Sequence, residues 1–241
     1  MGAEPALNWQ DAAASALEWW RDAGVDMLVE DAPRDWLARP AARPELAAAT
    51  PAAAPPAPVT LPDTIEAFVA WRLGDAAPEA EWMSPRIPPS GPVDAGWVVL
   101  TDMPDPEDRD ALMTGAPGRL LDRMLLAVGL SRATVHLASL AVARPVTGQI
   151  PPEQQARLGE LVRHQLRLLA PRKLLLLGQA ASRAVLGTDG ALPSGSTAVL
   201  NQFGPDCAIG AIRHPRFLLE HPAHKGEAWK RLLQLHRGTS E

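Results

Sequence analysis

Cys207-Ala208-Ile209-Gly210-Ala211-Ile212-Arg213-His214-Pro215-Arg216-Phe217-Leu218-Leu219 is the stretch on which the reading of this chain turns. Small and apolar residues through Ile212 form a short buried strand. Pro215 disfavours the helical region for the residue before it, so the run ends with the His214 imidazole at the strand's carboxyl end. Open α/β sheets place their ligands there. A histidine at that place can donate a hydrogen bond to negative charge developing on a substrate, because it keeps a ring N–H whether neutral or cationic. An ordinary loop histidine before a proline has the same spacing.

The segments upstream repeat one pattern. Gly96-Trp97-Val98-Val99-Leu100-Thr101 is a continuous apolar and β-branched run, the mark of a parallel strand covered on both faces. The polar loop 102–108 follows, then a helix over 118–128 with Leu120, Leu121, Met124, Leu125 and Val128 on one face, stopped by Gly129. A second strand is expected over 134–142, and Pro151 and Pro152 open a long helix that Pro171 closes. Lys173-Leu174-Leu175-Leu176-Leu177 is a third strand, Gly178 the turn, and 179–186 a short helix whose amino end faces the same crevice. A last helix over 227–235 packs Trp229, Leu232 and Leu233 on the sheet. Before the first strand, Asp63 is a cap candidate for a helix over 63–73. Strands alternating with helices predict an α/β fold, a three-layer αβα sandwich around a mostly parallel four-stranded sheet.

The N-terminal part differs in character. Residues 8–23 place Trp9, Ala12, Ala13, Ala16, Leu17, Trp19 and Trp20 at helical spacing, and 31–37 can form a further turn. Residues 40–62 are an Ala/Pro tract that has little to bury and reads as an extended linker. The expected organisation is a helical segment (1–38), a linker (39–62) and one main domain (63–241). The tethered helix is free to dock on the main domain, to hold no fixed position, or to meet a protein partner.

The 241 residues are 46% hydrophobic, enough for one core, and the formal charge of -5 argues against a broadly basic nucleic-acid coat. The single cysteine, Cys207, excludes an intramolecular disulfide and a cluster held by several thiolates of this chain. Neither a signal-like start nor a twenty-residue apolar run is present, so a cytoplasmic monomer without membrane contact is expected.

Four loops thus converge on one sheet edge: 102–108, 139–145, 178–180 and 213–215. In wording and order they resemble the uracil-DNA glycosylase superfamily, most like its family-four members, which carry an iron–sulfur cluster. The matching pieces are Pro104 with Glu107-Asp108, Gly115-Ala116-Pro117-Gly118-Arg119-Leu120-Leu121, Gly129-Leu130-Ser131-Arg132, Arg144-Pro145, and the closing His214-Pro215-Arg216-Phe217-Leu218-Leu219 with Pro222, Lys225 and Trp229. The resemblance covers nearly all of 96–235, and the closing motif is its specific part.

The resemblance implies a chemistry. Such enzymes extrude a uracil from DNA into a pocket, break its N-glycosidic bond through an oxocarbenium-like state and release the base as an anion. His214 would hydrogen-bond the uracil oxygen, and Asp102 would assist the sugar cation or water. Pro104, Met113 (in the stacking position) and Ser139 (in the edge-reading position) would bind the base. Pro215 would belong to the loop that wedges the duplex, with Arg213, Arg216 and Lys225 on DNA phosphates. Departures from the family are chemical: its Gly-Glu-Ala-Pro-Gly start is Thr101-Asp102-Met103-Pro104-Asp105 here, its stacking phenylalanine is Met113, and its reading asparagine is Ser139. Asp105 would repel a phosphate. The cluster cysteines fall on positions such as Ala143 and Leu158, so no cofactor is expected. Two functions follow: a divergent glycosylase for uracil or a related damaged base, or an inactive homologue that binds DNA or a protein.

Overall fold

The structure, a computed structural model, describes residues 9–22, 61–187, 198–200, 202–204 and 206–238. The turn expected over 31–37, nearly all of the Ala/Pro tract and the Gly/Ser loop before the last strand lie outside the described residues. The chain divides into two units, 1–58 and 59–241. In the first, helix α1 (Trp9–Asp22) leaves Leu17, Trp19 and Trp20 exposed, with the two indoles edge to face at 6.1 Å.

The second unit is built on strands β1 (Trp97–Thr101), β2 (Val135–Ser139), β3 (Lys173–Leu177), β4 (Ala198–Leu200) and β5 (Cys207–Ile212). Their order is β2-β1-β3-β5-β4; the first four are parallel, and β4 pairs antiparallel with β5. The parallel four-stranded sheet is the one the apolar runs predict. The three-residue β4 adds an antiparallel edge that the sequence pattern does not reveal.

Alternation along the strands decides the layers, since successive side chains face opposite ways. Val98, Leu100, Leu174, Leu176 and Ile209 join Phe68 of α2 (Ile65–Leu73), Leu161 and Leu166 of α4 (Pro152–Leu169) and Val185 of α5 (Gln179–Leu186) in one core. Val99, Leu137, Leu175, Leu177 and Ile212 join Leu121 and Leu125 of α3 (Ala116–Leu126), Leu218 of α6 (Pro215–Glu220) and Leu232 and Leu235 of α7 (Lys225–Arg237) in the other. Removing one of these fully buried leucines costs about 2–5 kcal/mol.

Several local expectations need correction. Thr64, not Asp63, caps α2, its Oγ1 accepting from the Ala67 amide at 3.3 Å. The strand expected over 134–142 stops at Ser139, because Leu140 and Ala141 turn their amides to the carbonyls of Thr101 and Asp102. Helix α3 starts at Ala116, with Pro117 in the first turn where a missing N–H is harmless. His214 has the extended backbone that Pro215 demands (φ −55°, ψ 139°), yet a new helix, α6, starts directly after it, and α7 extends beyond 227–235 at both ends.

A buried ion pair holds the loop after β2. Arg72 Nη2 donates to Glu79 Oε1 at 2.6 Å and to the Leu140 carbonyl at 2.8 Å, while the Val142 amide donates to the same Glu79 oxygen at 3.1 Å. Burial pulls the Arg72 pKa down, and Glu79 opposes that. The segment before β1 is thereby tied to the loop carrying Ala143 and Arg144. Among the described residues no helix is long and apolar enough to cross a membrane.

Candidate active site

The chain leaves β1 for β2 on one side and then crosses back from β2 to β3 on the other side of β1. That reversal opens a crevice at the strands' carboxyl ends, where such sheets bind ligands. Thr101 ends β1, Ser139 is its register partner at the end of β2, Gly178 follows β3 and His214 follows β5 by two residues.

His214 is buried, and both ring nitrogens are engaged. Nδ1 accepts the Arg216 amide at 3.1 Å, capping α6. An acceptor at Nδ1 puts the proton of the neutral ring on Nε2. Nε2 lies 3.0 Å from Thr101 Oγ1 and 3.5 Å from Asp102 Oδ1. The Thr101 hydroxyl in turn donates to Asp102 Oδ1 at 3.2 Å, which the Met103 amide also reaches at 2.8 Å. A chain of donors thus runs from His214 through Thr101 to the carboxylate. Burial lowers the His214 pKa below the ordinary histidine value; Asp102 opposes this, Arg216 reinforces it and Asp105 opposes it.

Gly178 lets β5 come this close. Its φ is +87°, a conformation side chains avoid, and an added Cβ would stand 3.2 Å from the His214 Cβ.

The loop after β1 is shaped by Asp108. Its carboxylate accepts from the amides of Asp105, Met113 and Thr114 at 2.8 Å each and from the Thr114 hydroxyl at 2.7 Å. Burial alone would raise its pKa, but these hydrogen bonds outweigh it and hold the carboxyl below its usual value. Met113, buried and at φ +57°, is held with its Sδ 4.0 Å from Thr101 Oγ1. Arg132 supports the same turn, donating to the carbonyls of Leu112 and Met113. The Pro104 carbonyl accepts from Arg144 Nη1 at 3.1 Å, tying this loop to the one after β2.

Of the residues singled out in the sequence, Asp102, Met113 and His214 meet around Thr101, and Ser139 is buried beside it. Pro104 is buried in the loop after β1; Pro215, read from sequence as part of a loop that wedges the duplex, is instead buried as the first residue of α6. Arg213 is exposed, its guanidinium 4.9 Å from the centre of the Phe217 ring, and Lys225 is exposed at the start of α7. Arg216 behaves differently: its Nε donates to Asp105 Oδ1 at 3.0 Å, and its Nη2 lies 2.9 Å from that oxygen and 3.7 Å from Asp102 Oδ1. Asp105, read from sequence as a phosphate-repelling group, is buried against this guanidinium. Sequence reasoning assigned no role to Thr101, Asp108 or Arg144. A Thr-Asp pair at a strand end and an aspartate five residues before Met113 were the available signals.

An iron–sulfur cluster needs thiolate ligands, normally four. This chain has one cysteine; Cys207 is buried in β5, its thiol pushed up to about 11 by burial. Ala143 and Leu158, which the resemblance puts at cluster-cysteine positions, are completely buried, Leu158 within the apolar core. The residues present do not fit the cluster.

Residues 88–233 match the sequence profile of the Uracil DNA glycosylase superfamily. A 120-residue segment is 28% identical to a Type-4 uracil-DNA glycosylase of Archaeoglobus fulgidus; it makes up 47% of this chain and 60% of that relative. The chain thus spans about 60% of that relative's length.

Proposed function

This chain belongs to the uracil-DNA glycosylase superfamily, and from that premise we propose that it hydrolyses the N-glycosidic bond of uracil, or of a related damaged base, extruded from DNA. The observation that carries the reading is the pairing of a neutral Nε2–H donor on His214 with the Asp102 carboxylate 3.5 Å away, at the carboxyl ends of β5 and β1. As the bond from C1′ to the base nitrogen breaks, its electron pair goes to the base, and His214 Nε2–H hydrogen-bonds the base oxygen where charge accumulates. Asp102 faces the cation left on the sugar and accepts a proton from the water that adds to C1′. Met113 supplies an apolar, polarizable wall where the family has an aromatic ring. Ser139 has one hydroxyl where the family has an amide, so discrimination among bases is weaker. Arg213 and Lys225, both exposed beside the site, contact phosphates.

A single-stranded oligonucleotide carrying one uracil, incubated with excess protein and then treated with alkali, tests this reading. Scission at the uracil supports it, and an intact strand after hours overturns it. One observation favours a second reading: Thr101 already occupies the His214 donor, in a motif where the family has glycine. An inactive DNA-binding homologue would bind the same oligonucleotide in a salt-dependent way and release no base.

A further inference from the structure

Asp105 and Arg216 form a pair that neither the folding of the sheet nor the chemistry just described requires. Asp105 stands in the loop after β1, three residues beyond Asp102, at a position where the resembled motif has glycine. Its side chain is 97% buried, with 3% accessible, and its amide is fixed by the Asp108 carboxylate at 2.8 Å. Arg216 stands in the first turn of α6, two residues beyond His214. It contacts that loop with its side chain, at Asp105 Oδ1, and contacts His214 with its own backbone amide, at Nδ1. One residue therefore touches both halves of the site: its guanidinium grips the loop that carries Asp102, and its amide holds the imidazole in the form whose proton is on Nε2.

We infer that Arg216 is a positioning residue, anchored by Asp105, that sets the distance and orientation of the His214 donor relative to Asp102. This rests on the glycosylase reading of the same site. It assigns the Arg216 side chain to the protein's own loop in place of a DNA phosphate. Opening this clamp separates donor and carboxylate without removing either, and a misplacement of about 1 Å at a reacting centre can cost about a hundredfold in rate.

The test uses the full chain with Arg216→Gln, Asp105→Asn, the double variant and Arg216→Lys. The glutamine and lysine variants keep the backbone amide. Arg216→Gln and Asp105→Asn each lower the single-turnover rate on the uracil oligonucleotide by about tenfold or more, with KM little changed. The double variant falls no further than the worse single, since both break one contact, and Arg216→Lys recovers part of the loss. A phosphate-contacting Arg216 would instead raise KM and flatten the salt dependence while Asp105→Asn did nothing, which overturns the inference. Imidazole 15N shifts of His214 supply a readout that needs no turnover. They move in both single variants if Arg216 holds the ring, and unchanged shifts overturn the inference. A parent protein that releases no uracil, with shifts that do move, defeats the glycosylase reading alone.

Discussion

His214 Nδ1 accepts the Arg216 amide at 3.1 Å, and this contact decides which ring nitrogen can act on a substrate. Imidazole 15N spectra at neutral pH are therefore expected to show the neutral Nε2–H tautomer. Burial, reinforced by Arg216 and opposed by Asp102 and Asp105, places the folded pKa below the ordinary value of about 6.5. The folded state then binds fewer protons than the unfolded chain. This contribution to stability is full above about pH 6.5 and is lost as pH falls through the folded pKa. The same 15N spectra followed against pH read this titration, which is expected below pH 6.5. A His214 titration at or above 6.5 contradicts this.

The Thr101 hydroxyl sits on the donor that a departing base would need. Thr101→Ala removes the competing acceptor, worth about 0.5–1.5 kcal/mol for a typical hydrogen bond. Single-turnover release of uracil should rise by roughly 2- to 10-fold, with thermal stability slightly lower. A fall in rate would instead mean that the hydroxyl serves as a relay from His214 to Asp102.

Gly178→Ala forces a side chain to adopt φ +87° and pushes on the His214 Cβ. The strain costs about 1–3 kcal/mol, and the displaced ring slows base release more than a matched surface substitution does. Denaturant unfolding and single-turnover kinetics on the same variant measure both effects.

Glu79→Ala leaves the Arg72 guanidinium buried without its partner and frees the Val142 amide. Removing one member of a buried pair costs about 3–5 kcal/mol. Replacing both by apolar residues of similar volume, as in Arg72→Met with Glu79→Leu, is expected to cost less than Glu79→Ala alone. Thermal melts of the three proteins decide the order.

Most of the architecture was legible because burial writes itself into composition: four apolar runs bounded by turn residues became four parallel strands, and Pro151 and Pro171 bracket the long helix. The carboxyl-end location of His214 followed from the apolar run through Ile212 and the proline at 215. What stayed hidden depends on contacts distant in sequence. Asp105 is an unremarkable acidic loop residue until Arg216, 111 positions away, is brought against it. Thr101 becomes significant only when β5 places the imidazole beside it, and the Arg72 and Glu79 pair looks like two surface charges on the page. The pairing of Thr101 with Ser139 at the strand ends became visible only through the register of β1 and β2.

The central claim, that His214 donates to an extruded base while Asp102 faces the sugar, is tested most directly by single-turnover uracil release from a single-stranded oligonucleotide by the parent protein and by His214→Ala. The account predicts measurable release by the parent and a loss of about 10²–10³-fold in the variant, with DNA binding retained. Equal rates for the two proteins, or no release by either, would contradict it.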